Sequence, residues 1–387
     1  MTNAKRWVVK IGSALATSRA TSRATSPATS GPASGDTAGG VGLNLEAIDD
    51  WAAQMVRLKQ LGHEVVVVTS GSVAEGAARL GWQKRPDSLH ELQAAAAVGQ
   101  MGLVRAWESA YQKFNMHAAQ VLLTHDDLSD RKRYLNSRTT LWTLMRLGVF
   151  PVINENDTVA TEEIRFGDND TLAGMVSNLI DADVLVILTD QQGLMSADPR
   201  KDPNATLIDT ADLTDPNLLA VAGEGGAWGR GGMRTKITAA KLAARSATST
   251  VVAHGMTKDV LVKIAAGDAV GTFFPATDTK LVARKQWLAV SLNLKGKLTL
   301  DDGACRVLKE QGRSLLAVGV THVEGDFERG ELVSCLDQNG REIARGLVNY
   351  DATESTKIKG LATSAIQQAL GYIHEPELIH RDNLVLV

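Results

Sequence analysis

Val149-Phe-Pro-Val-Ile-Asn-Glu-Asn-Asp-Thr158, followed a short way on by Phe166-Gly-Asp-Asn-Asp-Thr171, is the stretch that decides how this chain folds. Val149 to Ile153 is an apolar run of strand length, and beyond it the composition switches to carboxamides (Asn154, Asn156, Asn169) and carboxylates (Asp157, Asp168, Asp170). Thr171 to Ile180 then carries helical spacing. A buried strand that ends in a polar loop and continues into a helix is the repeating unit of an α/β protein, whose ligands lie beyond the carboxyl ends of the strands. The polar loop reads as the pocket of a small, polar, charged ligand.

Working outward, the same unit recurs. Trp7 to Ile11 reads as a first strand. Leu45, Ile48, Ala52, Met55 and Val56 mark a helix, with Asn44 as its N-cap and Gly62 just past its end. Glu64 to Thr69 is a β-branched strand, Leu89 to Phe114 a long Ala-rich helix, Ala119 to Leu123 a strand and Arg131 to Leu147 a helix. Val184 to Leu188, Met233 to Ala247 and Thr250 to Ala253 complete the series. Strands this uniformly apolar are covered on both faces, so the sequence predicts a mostly parallel sheet sandwiched by helices. Residues 17–42 interrupt it with a Ser/Thr/Ala repeat running into Gly and Pro, too poor in apolar surface to offset its ordering entropy; this reads as a disordered low-complexity insertion.

From about Lys295 the pattern changes to short β-like pieces: Lys297 to Leu300, a turn at Asp301-Asp-Gly303, then Leu315 to Val318, Val320 to Val323, Gly330 to Leu336 and Ile343 to Val348, with a hairpin at Asn339-Gly340. The reading is therefore a catalytic domain over 1–276, a linker over 277–294, a small C-terminal β-rich module over 295–375 and a tail over 376–387. A chain of 387 residues exceeds what one core usually supports.

The net charge is −3, with 30 basic and 30 acidic residues before position 295 and 11 against 14 after it. Nucleic-acid surfaces cluster Lys and Arg, so RNA binding is disfavoured as the main function. Two cysteines, Cys305 and Cys335, make no CxxC pair and no disulfide framework, which suits a reducing, cytoplasmic setting. The N-terminal apolar run is too short for a signal peptide, and no run approaches the roughly 18 apolar residues that span a bilayer.

The strand-end loops carry the chemistry: Lys10-Ile-Gly-Ser13, Thr69-Ser-Gly-Ser72, the two Asn/Asp loops, Thr189-Asp190, and Gly229-Arg-Gly-Gly-Met-Arg-Thr-Lys236, which opens a helix with glycines and cations suited to phosphate. No GxxxxGK[ST] loop, no GxGxxG after the first strand and no HExxH is present. His125 beside Asp126 and Asp127 reads as a helix cap rather than a metal set.

These residues resemble a family. Val8-Val-Lys-Ile-Gly-Ser13, Val68-Thr-Ser-Gly71, Ala97-Val-Gly-Gln100, Arg133-Tyr-Leu-Asn136, the 151–171 loops, Leu188-Thr-Asp190, Ala197-Asp-Pro199, Gly231-Gly-Met-Arg-Thr-Lys236 and His380-Arg-Asp382 are similar to the glutamate 5-kinases, amino acid kinase fold enzymes with a C-terminal PUA domain. The resemblance implies ATP-dependent phosphorylation of the L-glutamate side-chain carboxylate to L-glutamyl 5-phosphate, the first step of proline biosynthesis. It implies that Ser70, Gly71, Asn154, Asp157, Asp168 and Asn169 bind glutamate. Lys10 and Lys236 would face the phosphates, with Asp170 holding both. Gly12, Ser13, Thr189, Asp190, Arg230, Gly231, Gly232, Met233, Arg234 and Thr235 would complete the ATP site, with Asp190 on Mg²⁺. It further implies proline as feedback inhibitor, a homo-oligomer (dimer or tetramer) and a downstream glutamyl phosphate reductase. Arg230 and Arg234 replace residues usually small in the family, and the 17–42 tract is an insertion. A kinase of acetylglutamate or aspartate on the same fold, and an RNA-binding protein acting through the PUA module, are the alternatives.

Overall fold

The computed structural model describes residues 4–19, 41–82, 84–160, 169–197, 202, 204–216, 218–221, 232–276, 294–373 and 375–387. They fall into two compact units, one drawn from Met1–Leu128 and Arg138–Thr279, the other from Ser129–Ser137 and Lys280–Val387. Of the expected features, residues 20–40 of the repeat tract and 277–293 of the linker lie outside the described residues.

The strands of the first unit are β1 (Arg6–Ile11), β2 (Thr17–Arg19), β3 (Val41–Leu43), β4 (Glu64–Val68), β5 (Ala118–Leu123), β6 (Phe150–Glu155), β7 (Val184–Thr189), β8 (Ser249–His254) and β9 (Thr272–Phe274). Seven form one sheet in the order β5-β6-β4-β1-β7-β8-β9, parallel throughout except for the antiparallel β8–β9 pair. β2 and β3 pair as a separate antiparallel ribbon, so the two ends of the repeat tract, expected as loop, close on each other through backbone hydrogen bonds.

The helices begun in this part of the chain are α1 (Ser13–Ala16), α2 (Leu45–Gln60), α3 (Ser72–Arg79), α4 (Leu89–Gln112), α5 (His125–Ser129), α6 (Arg131–Arg146), α7 (Asn169–Leu179), α8 (Leu218–Val221), α9 (Met233–Ala244) and α10 (Val260–Ala266). Asn44 caps α2 by accepting from the Ala47 amide at 3.2 Å, as its position before the apolar spacing requires. Thr124 and Asp127 cap α5 reciprocally, each side chain accepting from the other's amide, so the His125 segment is a helix start. Trp7, Val9 and Ile11 of β1 enter a core with Ile48, Trp51 and Met55 of α2 and Leu103 and Trp107 of α4. Strand alternation then turns Val8 and Lys10 to the opposite face, where α7 packs.

In the second unit, β10 (Gly296–Leu300), β11 (Val320–Gly325), β12 (Leu332–Leu336), β13 (Glu342–Leu347) and β14 (Leu384–Leu386) form a sheet in the order β11-β10-β12-β13-β14. Its helices are α11 (Asp302–Gln311), α12 (Ala352–Ile358) and α13 (Thr363–Leu370). Two local expectations are corrected. Asp301-Asp-Gly303 is a helix start, because the Asp301 carboxylate caps the Ala304 amide at 2.6 Å. Leu315 to Val318 is no strand: Leu315 forms an isolated bridge to Ile379, and Ala317–Gly319 is a 3₁₀ turn. Leu384–Leu386, in the stretch expected as a tail, is an edge strand on β13. Both cysteines are buried thiols, and burial, with Glu342 and Cys305 nearby, pushes the Cys335 thiol up to about 12.

Candidate active site

The carboxyl ends of β1, β4, β6 and β7 and the N-termini of α7 and α9 supply the side chains. Lys10 comes from β1, whose neighbours in the sheet are β4 and β7. Asp170 is the second residue of α7, and Lys236 the fourth of α9. These three meet in the interior. The Lys10 ammonium forms an ion pair with Asp170 Oδ1, and the Lys236 Nζ lies 3.1 Å from Asp170 Oδ2. Thr235 Oγ1 donates to the same Oδ2 at 2.8 Å. Asp170 is 0% exposed and each lysine 5%. Burial alone would raise the Asp170 carboxyl; the Lys10 and Lys236 ammonium groups and the hydrogen bonds from Lys10 and Thr235 outweigh it and hold the group well below the usual carboxylate range. Asp170 is therefore an anion, and the trio has a formal charge of +1.

The residue before Asp170 begins a chain of amides. Asn169 Nδ2 donates to the Thr69 carbonyl at 2.5 Å and to Asn154 Oδ1 at 2.7 Å, and Asn154 Nδ2 donates to Gln100 Oε1 at 2.8 Å. These bonds fix both carboxamides without rotation. Asn154 is the penultimate residue of strand β6, where it pairs with Leu122 of β5. Three residues on, Asp157 Oδ2 accepts from Ser72 Oγ at 2.9 Å. Ser70 and Gly71 thus lie between Thr69, bonded to Asn169, and Ser72, bonded to Asp157. Gly71 has φ +115°, a left-handed conformation that a side chain resists, and it turns the chain from β4 into α3. Burial pushes the Asp157 carboxyl up to about 6; Glu155 acts in the same direction, while the Ser72 hydroxyl and Arg85 oppose it.

Gly12 and Ser13 follow β1 directly, with the Gly12 amide donating to the Leu188 carbonyl of β7 at 3.2 Å. Thr189 Oγ1 donates to Asp190 Oδ1 at 3.1 Å, and Asp190 is exposed at the end of β7. Gly232 and Met233 are buried at the start of α9, whereas Arg234 faces solvent. Asp168, Arg230 and Gly231 lie outside the described residues. The structure thus gathers Lys10, Asp170 and Lys236 in one cluster and Asn154, Asn169 and Asp157 in a neighbouring one, joined through the consecutive residues Asn169 and Asp170.

Sequence reasoning missed Ser72 and Gln100 as members of this network. Both lay in quoted motifs, but their partners are 85 and 54 residues away in the chain. The strand order, which places β4 beside β6, and the packing of α4 against α3 bring them together.

A parallel sheet with two lysines pinned on one buried carboxylate at its strand ends has the makings of a phosphoryl-transfer enzyme. Residues 5–254 match the model of the amino acid kinase family, and residues 296–370 that of the PUA domain. The chain belongs to the amino acid kinase family, with a C-terminal PUA domain, and is a kinase. It is 57% identical over 388 aligned positions to the glutamate 5-kinase of Nitrosospira multiformis and 56% identical to that of Pseudomonas aeruginosa, in each case across 100% of this chain and 99% of the relative. Among solved structures it is similar to a UMP kinase from Bacillus anthracis, at 14% identity and a TM-score of 0.46, covering 71% of this chain and 97% of that one.

Proposed function

We propose that this kinase transfers the γ-phosphoryl group of ATP to the side-chain carboxylate of L-glutamate, giving L-glutamyl 5-phosphate and ADP. The observation that carries the reading is the union of a buried Lys10–Asp170–Lys236 cluster with a carboxamide and carboxylate pocket through adjacent residues of α7. The full-length likeness to proteins named glutamate 5-kinase supports the acceptor.

A γ-carboxylate with an ordinary pKa of about 4.3 is already ionised at neutral pH, so attack on phosphorus needs no general base. The obstacle is repulsion: unit charges 4 Å apart interact by about 4 kcal/mol at an effective dielectric of about 20. The transition state is loose and its charge lies on phosphoryl oxygens, so positioning and preorganised cations supply most of the catalysis. Lys10 and Lys236 would sit against those oxygens, with Asp170 fixing both amines. One carboxylate oxygen bonds to phosphorus as the bond to the β–γ bridging oxygen breaks, and ADP leaves. Ser70, Gly71, Asn154 and Asn169, with Asp168, would hold the acceptor, and Asp157 its α-ammonium. Gly12, Ser13, Thr189 and the 230–235 segment would line the nucleotide.

Mg²⁺ is usually held by one or two carboxylates plus substrate phosphates. Asp190, a solvent-exposed carboxylate oriented by Thr189, fits that mode as the protein ligand of an ion that arrives with ATP. When bound, such an ion neutralises charge on the phosphate oxygens.

The relatives' name also supports a place in proline biosynthesis; proline as feedback inhibitor, a homo-oligomer, a cytoplasmic setting and a reductase that consumes the product are further parts of the proposal. The domain boundaries read from the sequence, 1–276, 277–294, 295–375 and 376–387, form part of the same proposal. Acetylglutamate fits less well as acceptor, because acylation removes the ammonium that Asp157 would pair with.

The test is ADP release with each candidate acceptor, together with hydroxylamine capture of the acyl phosphate. Release and hydroxamate formation should require free L-glutamate and magnesium. Equal or better turnover with N-acetylglutamate or aspartate would overturn the assignment.

A further inference from the structure

We propose that Ser72 is the positioning residue of acceptor recognition, its hydroxyl holding the Asp157 carboxylate oriented and ionised for the α-ammonium of the amino acid. The inference rests on the acceptor reading above.

Three observations carry it. Ser72 is the first residue of α3, 4% exposed, and donates to Asp157 Oδ2 at 2.9 Å across 85 residues of chain. One oxygen of the Asp157 carboxylate is thereby anchored by the Ser72 hydroxyl.

The second observation is how firmly Ser72 is held. α3 and α4 touch backbone to backbone. A Cβ at Gly99 of α4 would lie 1.8 Å from the Ser72 carbonyl oxygen and 2.4 Å from the Gly76 amide nitrogen, and one at Gly76 would lie 1.7 Å from the Ala95 carbonyl oxygen. Only glycine at both positions allows this contact. With Gly71 setting the turn before it, Ser72 is fixed from both sides, and its hydroxyl is a rigid anchor rather than a mobile surface group.

The third is charge. Asp157 faces Glu155, which favours its protonated form, and Arg85, which favours its ionised form. The N-terminus of α3, from which Ser72 projects, adds a partial positive charge. Burial and Glu155 oppose ionisation, so the hydroxyl donor is a substantial part of what keeps the carboxylate charged near neutral pH.

The test uses the full chain with Ser72→Ala, Ser72→Cys, Asp157→Asn and the Ser72→Ala/Asp157→Asn pair, each first checked by thermal melt. Ser72→Ala should raise the glutamate KM by about tenfold, the scale of one hydrogen bond to a charged group. The ATP KM and the turnover at saturating glutamate should stay within about twofold. The acid limb of kcat/KM for glutamate should move to higher pH by roughly one unit, because the lost bond favoured the charged form. Ser72→Cys, with a weaker donor of similar size, should fall between wild type and alanine. In the pair, loss of Ser72 should add nothing to loss of Asp157.

Additive losses in the double variant, an unmoved acid limb, or a parallel rise in the ATP KM would assign Ser72 to fold maintenance and overturn the proposal. If wild-type protein releases no glutamate-dependent ADP, the acceptor reading fails instead, and the two failures are told apart by that control.

Discussion

Replacing Asp170 with asparagine removes one formal charge from the centre of the site and changes almost nothing in volume. In the native chain Asp170 is fully buried between two ammonium groups, with Lys236 Nζ at 3.1 Å and Lys10 in contact with the other oxygen. One unit-charge pair at that distance is worth about 5 kcal/mol at an effective dielectric of about 20, before the cost of burying the charges. Removing one partner of a buried ionic cluster leaves the others uncompensated, and the expected destabilisation is roughly 3–5 kcal/mol. Two like charges held against each other also separate, so at least one amine leaves the position required for the phosphoryl oxygens. Turnover should fall by about a hundredfold or more, on the scale of a lost preorganised donor.

The pH dependence has a definite sign. A carboxyl whose folded value lies below its unfolded value stabilises the fold above the unfolded pKa, about 3.9, and loses that contribution as pH falls towards the folded value. The gap in unfolding free energy between wild type and Asp170→Asn should therefore be full at pH 7 and shrink steadily below about pH 4. Urea unfolding at several pH values, beside an ADP-release assay, measures both effects. A variant with wild-type stability and turnover would refute the claim that Asp170 organises the two lysines.

Lys10→Ala and Lys236→Ala should each cost turnover about a hundredfold or more while the fold persists, read from a thermal melt beside steady-state kinetics. Asp157 should show itself in the pH profile of kcat/KM for glutamate. Its carboxyl, pushed up to about 6 by burial, is ionised above that value, so the profile should be flat above it and fall tenfold per unit below. Asp157→Asn should be weaker above about pH 6 and lack that limb, with the ATP KM unchanged. Gly99→Ala places a Cβ against the Ser72 carbonyl and should destabilise by about 3 kcal/mol or more, visible as a lowered melting temperature. Cys335, buried with its thiol raised to about 12, should resist iodoacetamide at pH 8 in the native protein and react on unfolding.

Much of the first unit could be read directly because its signals are local. Continuous apolar runs within Glu64–Val68 and Val184–Thr189 became parallel strands, and the Asn44 cap sits where the apolar spacing begins. In the second unit, Asp301-Asp-Gly303 satisfies the rules for a turn and for a helix cap equally well. As a helix it is held by the Asp301 cap together with packing of Cys305 and Leu308 into the core. The lysine cluster was legible through the family resemblance. The Ser72–Asp157 and Gln100–Asn154 bonds were not, since each joins distant segments that the β4–β6 pairing and the packing of α4 on α3 make neighbours. The Gly76–Gly99 contact had no sequence signal beyond two glycines in helical stretches, which composition alone would mark as weak points.

The account stands or falls on where the triphosphate lies. A crystal structure with a non-hydrolysable ATP analogue, magnesium and L-glutamate should place γ-phosphate oxygens within about 2.7–3.2 Å of both the Lys10 and the Lys236 amines, with the glutamate side-chain carboxylate on the opposite side of phosphorus from the leaving oxygen. A triphosphate bound away from both amines would contradict it.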